Sequence, residues 1–294
     1  MAREFNKGLL AQIFGLSCIE NYLLYAMKEQ DYRYYPLYYH SFLSFGDIIH
    51  EFTENKAEFA FFYKIQRLHT TAENHGLICM EHHENVEDIP SGADQVNGST
   101  YMAITVTPEY ISGKYGAATW REDHYLLIRQ NDEGDFYYLN DTPADSGKID
   151  NRTLKNIFSG KVITFSLAST VNKELEKGFL NKFKEIIQCE AAKEKIVNTD
   201  RLIHEIQTVR DLIGVLKISR NRMDRYLSQY VDTRFLKPYL RMLDAAYGTI
   251  EYMRLRKRPD SEKIKNMMNE LQDMDEQVIV KVEQVLKNLQ QFEC

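Results

Sequence analysis

His124-Tyr-Leu-Leu-Ile-Arg-Gln-Asn131-Asp-Glu-Gly-Asp-Phe136-Tyr-Tyr-Leu-Asn-Asp141 is the stretch on which the fold turns. Two runs rich in Tyr, Leu and Ile straddle Asn131–Asp135, where Gly134 supplies the positive φ of a tight turn, so the segment predicts an antiparallel hairpin. Working outward, Gly76–Met80, Tyr101–Thr107 and a closing Lys161–Leu167 read as further strands. Before them, Leu9–Phe14, Ile19–Gln30, Ser44–Phe52 and Glu58–Leu68 read as helical segments. Helices first and an antiparallel sheet second make an α+β domain.

Beyond Leu167 the chemistry of the chain changes. Residues 1–167 hold 14 Lys and Arg against 23 Asp and Glu, whereas the remainder holds 23 against 20. Eleven of the 14 glycines and 14 of the 19 tyrosines also precede residue 168, which concentrates turns and strands there. Leu202, Ile206, Val209, Ile213 and Leu216 recur at helical spacing, as do Ile264, Met267, Leu271, Met274, Val278, Val282, Val285 and Leu289. With further helices expected over 172–195 and 219–255, the reading is two domains: 1–168, the α+β domain, and 169–294, an α-helical bundle. The join is expected near Ser166–Thr170.

The same composition excludes several classes of function. A net charge of −6 argues against a nucleic-acid partner, and no run approaches the roughly 20 apolar residues of a membrane span. Four scattered cysteines, with no CxxC pair, give neither a disulfide framework nor a zinc half-site, and point to a reducing compartment. A cytoplasmic protein is therefore expected. Phosphate-binding loops of the GxxxxGK type are absent, so no nucleotide cofactor is expected. Glu81-His-His-Glu84 with His75 could ligate a metal; adjacent strand residues face opposite ways, so the segment is read as a surface loop and no metal is assigned.

One constellation carries chemistry. Ser17-Cys18-Ile-Glu20 has the spacing of a capping box, which puts Cys18 in the first turn of a helix. Free amides and the helix dipole there draw a thiol towards thiolate. Gln12, six residues earlier, can donate to an oxyanion on the carbon that Cys18 attacks. His124 opens the first arm of the hairpin and Asp141 ends the second, so the two meet at one sheet end. An Asp on one imidazole nitrogen leaves the other to take the cysteine proton, which is the logic of Cys-His-Asp acyl transfer. Asp123 and Asn140 could compete for the third role, but strand alternation is expected to turn each of them away.

With those residues in order, the chain resembles the papain-like cysteine fold. Gln12-Ile-Phe-Gly-Leu-Ser-Cys18 matches its Gln, five residues, Cys pattern, and Asp123-His124 with Tyr138-Leu-Asn-Asp-Thr-Pro143 looks like the His strand and Asp turn of bacteriocin-leader peptidases. Cys18-Ile-Glu20, Thr105-Val-Thr-Pro-Glu-Tyr110, His124, Asn140-Asp-Thr142 and a helix from Asn151 to Phe158 are more similar still to the butirosin biosynthesis protein H family. The likeness spans roughly residues 5–167, and Ser17 stands where that family often has His.

The resemblance implies an acyltransferase: Cys18 takes an acyl group from an acyl or peptidyl carrier-protein thioester, His124 deprotonates a small-molecule amine acceptor, Asp141 orients His124, and Gln12 stabilises the oxyanion. A cysteine peptidase or thioesterase using water is the alternative, and a non-catalytic binding module the next. Arg220, Arg222 and Arg225, with Arg254, Arg256, Lys257 and Arg258, are candidate docking surfaces for an acidic carrier, or else solvated helix faces. Tyr32, Tyr34, Tyr35, Tyr38 and Tyr39 line a pocket or pack a loop.

Overall fold

The structure is a computed structural model that describes residues 4–10, 17–56, 68–89, 100–116, 124–130, 133–191 and 205–290. Its chain divides into two compact units, Met1–Tyr34 with Arg67–Val171, and Tyr35–Gln66 with Asn172–Cys294. The second unit therefore takes in a segment from the first third of the sequence as well as the C-terminal helices. The expected segments Leu9–Phe14 and Glu58–Leu68 fall largely outside the described residues.

The first unit is α+β. Helix α1 (Cys18–Glu29) and α3 (Leu68–Asn74) precede six strands: β1 (Ile78–His83), β2 (Thr100–Val106), β3 (His124–Gln130), β4 (Phe136–Asp141), β5 (Ala144–Ile149) and β6 (Phe158–Leu167). They form one sheet of order β1-β6-β2-β3-β4-β5, antiparallel at every pairing. Helix α4 (Pro108–Tyr115) follows β2, and α5 (Asn151–Ile157) precedes β6.

Both faces of the sheet are covered, so β2 is buried along Tyr101–Val106 rather than alternating. One face buries Met102, Ile104, Val106, Leu126, Ile128, Tyr138 and Val162 under Ile111 of α4 and Leu154 of α5. On the other, α1 lies against β2, β3 and β4 and buries Tyr22, Leu23, Ala26 and Met27 completely. The β3–β4 hairpin forms as expected, with Gly134 at φ 85° in its turn. Gly147 of β5 lies close to Tyr138: a Cβ there would stand 3.1 Å from the Tyr138 hydroxyl, so the ring would have to shift by a few tenths of an ångström.

Two sequence expectations change, and Pro108–Tyr115, to which the sequence assigns no element, is helical, begun by Pro108 in its first turn. His82 and His83 lie on β1, paired with Ile163 and Val162 of β6, and are exposed strand residues rather than a surface loop. The helix expected over 219–255 is two helices, because Pro238, tolerated in a first turn but not in a helix interior, begins the second one.

The second unit is helical: a 3-10 turn (Tyr35–His40), α2 (Phe45–Thr53), α6 (Lys173–Ala191), α7 (Ile206–Leu227), α8 (Lys237–Arg256) and α9 (Ser261–Gln290). Tyr38 and Tyr39 are buried here, and Tyr39 stacks on Phe179 with centroids 4.3 Å apart. Of the basic cluster expected to be on the surface, Arg220 is 0% and Arg222 1% exposed. Arg220 is a core residue because Asp275 of α9 meets it at 2.7 and 2.8 Å, two parallel bonds that compensate the lost hydration of both charges. Its Nη1 also donates to the carbonyl of Leu43 and to Ser219 Oγ. The buried seam of α9 runs Ile264, Met268, Leu271, Asp275, Val278, Val282, Leu286, with a carboxylate at its middle.

Candidate active site

Helix α1 starts as its sequence dictates. Ser17 is the N-cap: its Oγ accepts from the Glu20 amide at 3.2 Å, and Glu20 Oε2 accepts from the Ser17 amide at 2.8 Å. The second oxygen of Glu20 accepts from the amide of Leu68, the first residue of α3, at 3.0 Å. One buried carboxylate thus satisfies the starts of two helices, which fixes Cys18 as the first residue of α1.

The far side of the site is tied to the same helix. Tyr22, one turn along from Cys18 and fully buried, donates its hydroxyl to the backbone carbonyl of Tyr125 at 2.7 Å. That bond holds α1 against the strand whose first residue is His124. At the other end of α1, Glu29 accepts from Arg129 and Tyr101 at 2.9 and 2.8 Å, so the helix is clamped to β3 and β2.

The clamps bring Cys18 Sγ to 3.7 Å from His124 Nδ1. Nε2 of the same ring lies 2.6 Å from Asn140 Oδ1, while the Asn140 amide nitrogen donates to the carbonyl of Pro143 at 2.7 Å. That second bond orients the Asn140 side chain, because only nitrogen can donate to a carbonyl, leaving the amide oxygen for the imidazole. His124 therefore carries its proton on Nε2 and presents the Nδ1 lone pair to the thiol. Both imidazole and amide are buried, His124 at 2% exposure and Asn140 at 0%.

Asn140 in this place overturns the expectation that alternation would turn it away. Ile128 pairs with Tyr138, so even-numbered residues of β3 and β4 share a face, and His124 and Asn140 are both even-numbered. Asp141 belongs to the opposite parity, on the face that α1 covers. It still reaches the ring, with Oδ1 at 3.5 Å from Nε2, and its Oδ2 accepts from Asn21 Nδ2 at 2.9 Å and from Thr142 Oγ1 at 3.3 Å. The Cys18, His124 and Asp141 arrangement is compatible with a catalytic triad, with Asn140 the nearer partner of the base.

The electrostatics also differ from expectation. Burial, then the charge of Asp141 and its hydrogen bond, push the Cys18 thiol up, and these outweigh the opposing backbone amides of Tyr125 and of Cys18 itself. A helix start alone favours thiolate, but here desolvation and a neighbouring carboxylate win, so the resting thiol keeps its proton until His124 accepts it. The Tyr125 amide was not identifiable from the sequence, because only the strand ladder aims it at Sγ.

Among the described residues, Cys18, His124 and Asp141 are also compact enough to consider as metal ligands, their ligand atoms lying within 4.8 Å of one another. As placed, the imidazole turns Nδ1 to the thiol and Nε2 to Asn140 and the carboxylate. Gln12 and Asp123 lie outside the described residues. Cys18, Cys79 and Cys189 are free thiols, the last two exposed. No described helix is long and apolar enough to cross a membrane. The chain matches no protein-family model and no curated protein.

Proposed function

We propose that the first unit is a papain-like cysteine domain that moves an acyl group through a Cys18 thioester to an amine. The observation that carries this reading is the relay of two contacts: thiol to Nδ1 at 3.7 Å, and Nε2 to the Asn140 oxygen at 2.6 Å. His124 takes the thiol proton as Sγ attacks the carbonyl of a thioester donor, and the donor thiol leaves with that proton. The acceptor nitrogen then attacks the acyl-enzyme, passing its proton to Nδ1 and expelling Sγ. Exchange between thioesters is nearly balanced in energy, so positioning the reactants and excluding water supply most of the catalysis. Asn140 holds the tautomer, and the start of α1 offers backbone amides to the oxyanion, with Gln12 as the side-chain donor that the resemblance to the butirosin biosynthesis protein H family implies.

An acyl or peptidyl carrier protein is the proposed donor. The surface that supports it is narrower than the sequence suggests: Arg220 and Arg222 are buried, leaving Arg225 exposed on α7 and Arg256, Lys257 and Arg258 exposed at the end of α8. Free thiols at Cys79 and Cys189 fit a reducing, cytoplasmic setting.

The test is intact-protein mass spectrometry of wild type and Cys18→Ala after mixing with a panel of acyl-carrier and acyl-pantetheine thioesters, followed by amines. A Cys18-dependent adduct discharged faster by amine than by water is the expected result. Discharge by water alone makes the protein a hydrolase, and no adduct with any donor overturns the acyl-transfer reading.

A further inference from the structure

With Asn140 orienting the base, Asp141 is available for another task. Its side chain is only 4% exposed and is held in place through Oδ2, by the Asn21 amide and the Thr142 hydroxyl. Oδ1 is buried and makes no short hydrogen bond: its polar neighbours are His124 Nε2 at 3.5 Å and the Cys18 thiol. The neighbouring Asn21, 8% exposed, is in the same condition: its nitrogen is spent on Asp141 and its Oδ1 is unsatisfied. Two buried acceptor oxygens, one with only long contacts and one with none, are costly unless something completes them. Asp141 belongs to the cluster around the nucleophile, its carboxylate lying within 4.8 Å of the Cys18 sulfur, and Asn21 is bonded to that carboxylate.

We propose that Asp141 Oδ1, with Asn21 Oδ1, forms a subsite beside Cys18 for the cationic head of the acceptor, a primary ammonium. An ammonium brings three donors and one positive charge, which is what two acceptor oxygens and one negative charge lack. A water molecule also has donors, but carries no charge to offset the carboxylate, and an anionic nucleophile would be repelled. Burial is the main cause that raises the resting thiol and the Asp141 charge adds to it; a cation at the subsite offsets Asp141 and eases formation of the thiolate. The amine is captured as ammonium, gives one proton to Asp141, and attacks as the neutral base, its second proton passing to Nδ1 of His124. This inference rests on the acyl-transfer reading for the purpose of the amine, but its test needs no acyl donor.

The experiment measures the charge preference of Cys18 itself. Cationic 2-aminoethyl methanethiosulfonate and anionic 2-sulfonatoethyl methanethiosulfonate each form a disulfide with the Cys18 sulfur and release methanesulfinate, the thiol proton going to His124. Rates at Cys18 are read by peptide mass spectrometry, and their ratio is compared with that of the same cysteine in the urea-unfolded chain. The expected ratio in the folded protein favours the cation roughly tenfold beyond the unfolded value, as a single charge a few ångströms away provides, and falls close to the unfolded value in Asp141→Asn. A folded ratio equal to the unfolded one overturns the proposal from the wild type alone, whether or not the variant folds. A preference that survives Asp141→Asn overturns it as well. Asn21→Asp, which adds a second carboxylate, raises the preference if the subsite is as described and leaves it unchanged if not. Failure here with a normal acyl adduct at Cys18 removes the subsite but leaves the acyltransferase standing; absence of the adduct does the reverse.

Discussion

Among the described residues, each unit holds a buried polar cluster, and the two are completed to different degrees. In the helical unit, Arg220 is bonded on all three nitrogens, to both oxygens of Asp275, to the Leu43 carbonyl and to Ser219. In the sheet unit, Asp141 and Asn21 each keep a buried acceptor oxygen with no short hydrogen bond, next to a thiol and an imidazole that can exchange a proton. A cluster satisfied within the chain holds elements together; one left with open valences in a buried position is fitted to something the chain does not itself supply. The difference separates a structural charge pair from a site.

The sharpest way to break this comparison is at the nucleophile. Cys18→Ala is expected to lower acyl transfer about 10⁴-fold or more, as loss of a nucleophile does, in the thioester assay described above; transfer that persists removes the site. Next in size is Arg220→Met, expected to cost about 3–5 kcal/mol by leaving Asp275 buried and unpaired. Urea unfolding of Arg220→Met together with Asp275→Leu should recover most of that loss. A single variant as stable as wild type would mean that the helical cluster is not the structural one.

Asn140→Ala is expected to slow transfer roughly 10²-fold by freeing the imidazole, with Asn140→Asp restoring part of it. If Asp141→Ala is the more damaging on the acylation step, the assignment of the two partners is reversed. Asp141→Asn should act on the thiol in a definite direction. The carboxylate is one of the causes that raise Cys18, second to burial, so its removal lowers the thiol towards its ordinary value and leaves the burial contribution. Below that value the thiolate fraction increases, and the pH profile of Cys18 alkylation by neutral iodoacetamide should move to lower pH. A shift to higher pH would refute the electrostatic account. Smallest is Tyr22→Phe, expected to cost about 1 kcal/mol through the lost bond to the Tyr125 carbonyl, measured by thermal or urea unfolding.

What was legible in the sequence was local. The capping box of Ser17 and Glu20 and the β3–β4 hairpin follow from spacing and turn chemistry, whereas the pairing of Cys18 with His124 rests on triad logic and the family resemblance. The choice between Asn140 and Asp141 did not follow, because it depends on which residues of two strands stand opposite each other, and the turn residues alone do not fix that register. Arg220 was misjudged for a related reason. A charge on a helix reads as solvated until its partner is known, and Asp275 lies 55 residues away on another helix. Pro238 was visible but its consequence, a new helix rather than a kink, required the packing of α8. The resting state of Cys18 needed the depth of the site, which no spacing encodes.

The adjacency of Asn140 and Asp141 has an evolutionary side. Amide and carboxylate occupy consecutive positions at the end of one strand, so they present themselves to the ring from opposite faces of the sheet. A slip of one residue in the β3–β4 pairing exchanges every face of β4, and a single insertion or deletion in the connecting turn is enough to produce it. The two familiar third members of cysteine-based relays, a neutral amide and an anionic carboxylate, are thus separated here by one codon's worth of length rather than by a change of residue. Lineages with this hairpin can pass from one kind of relay to the other while keeping both side chains.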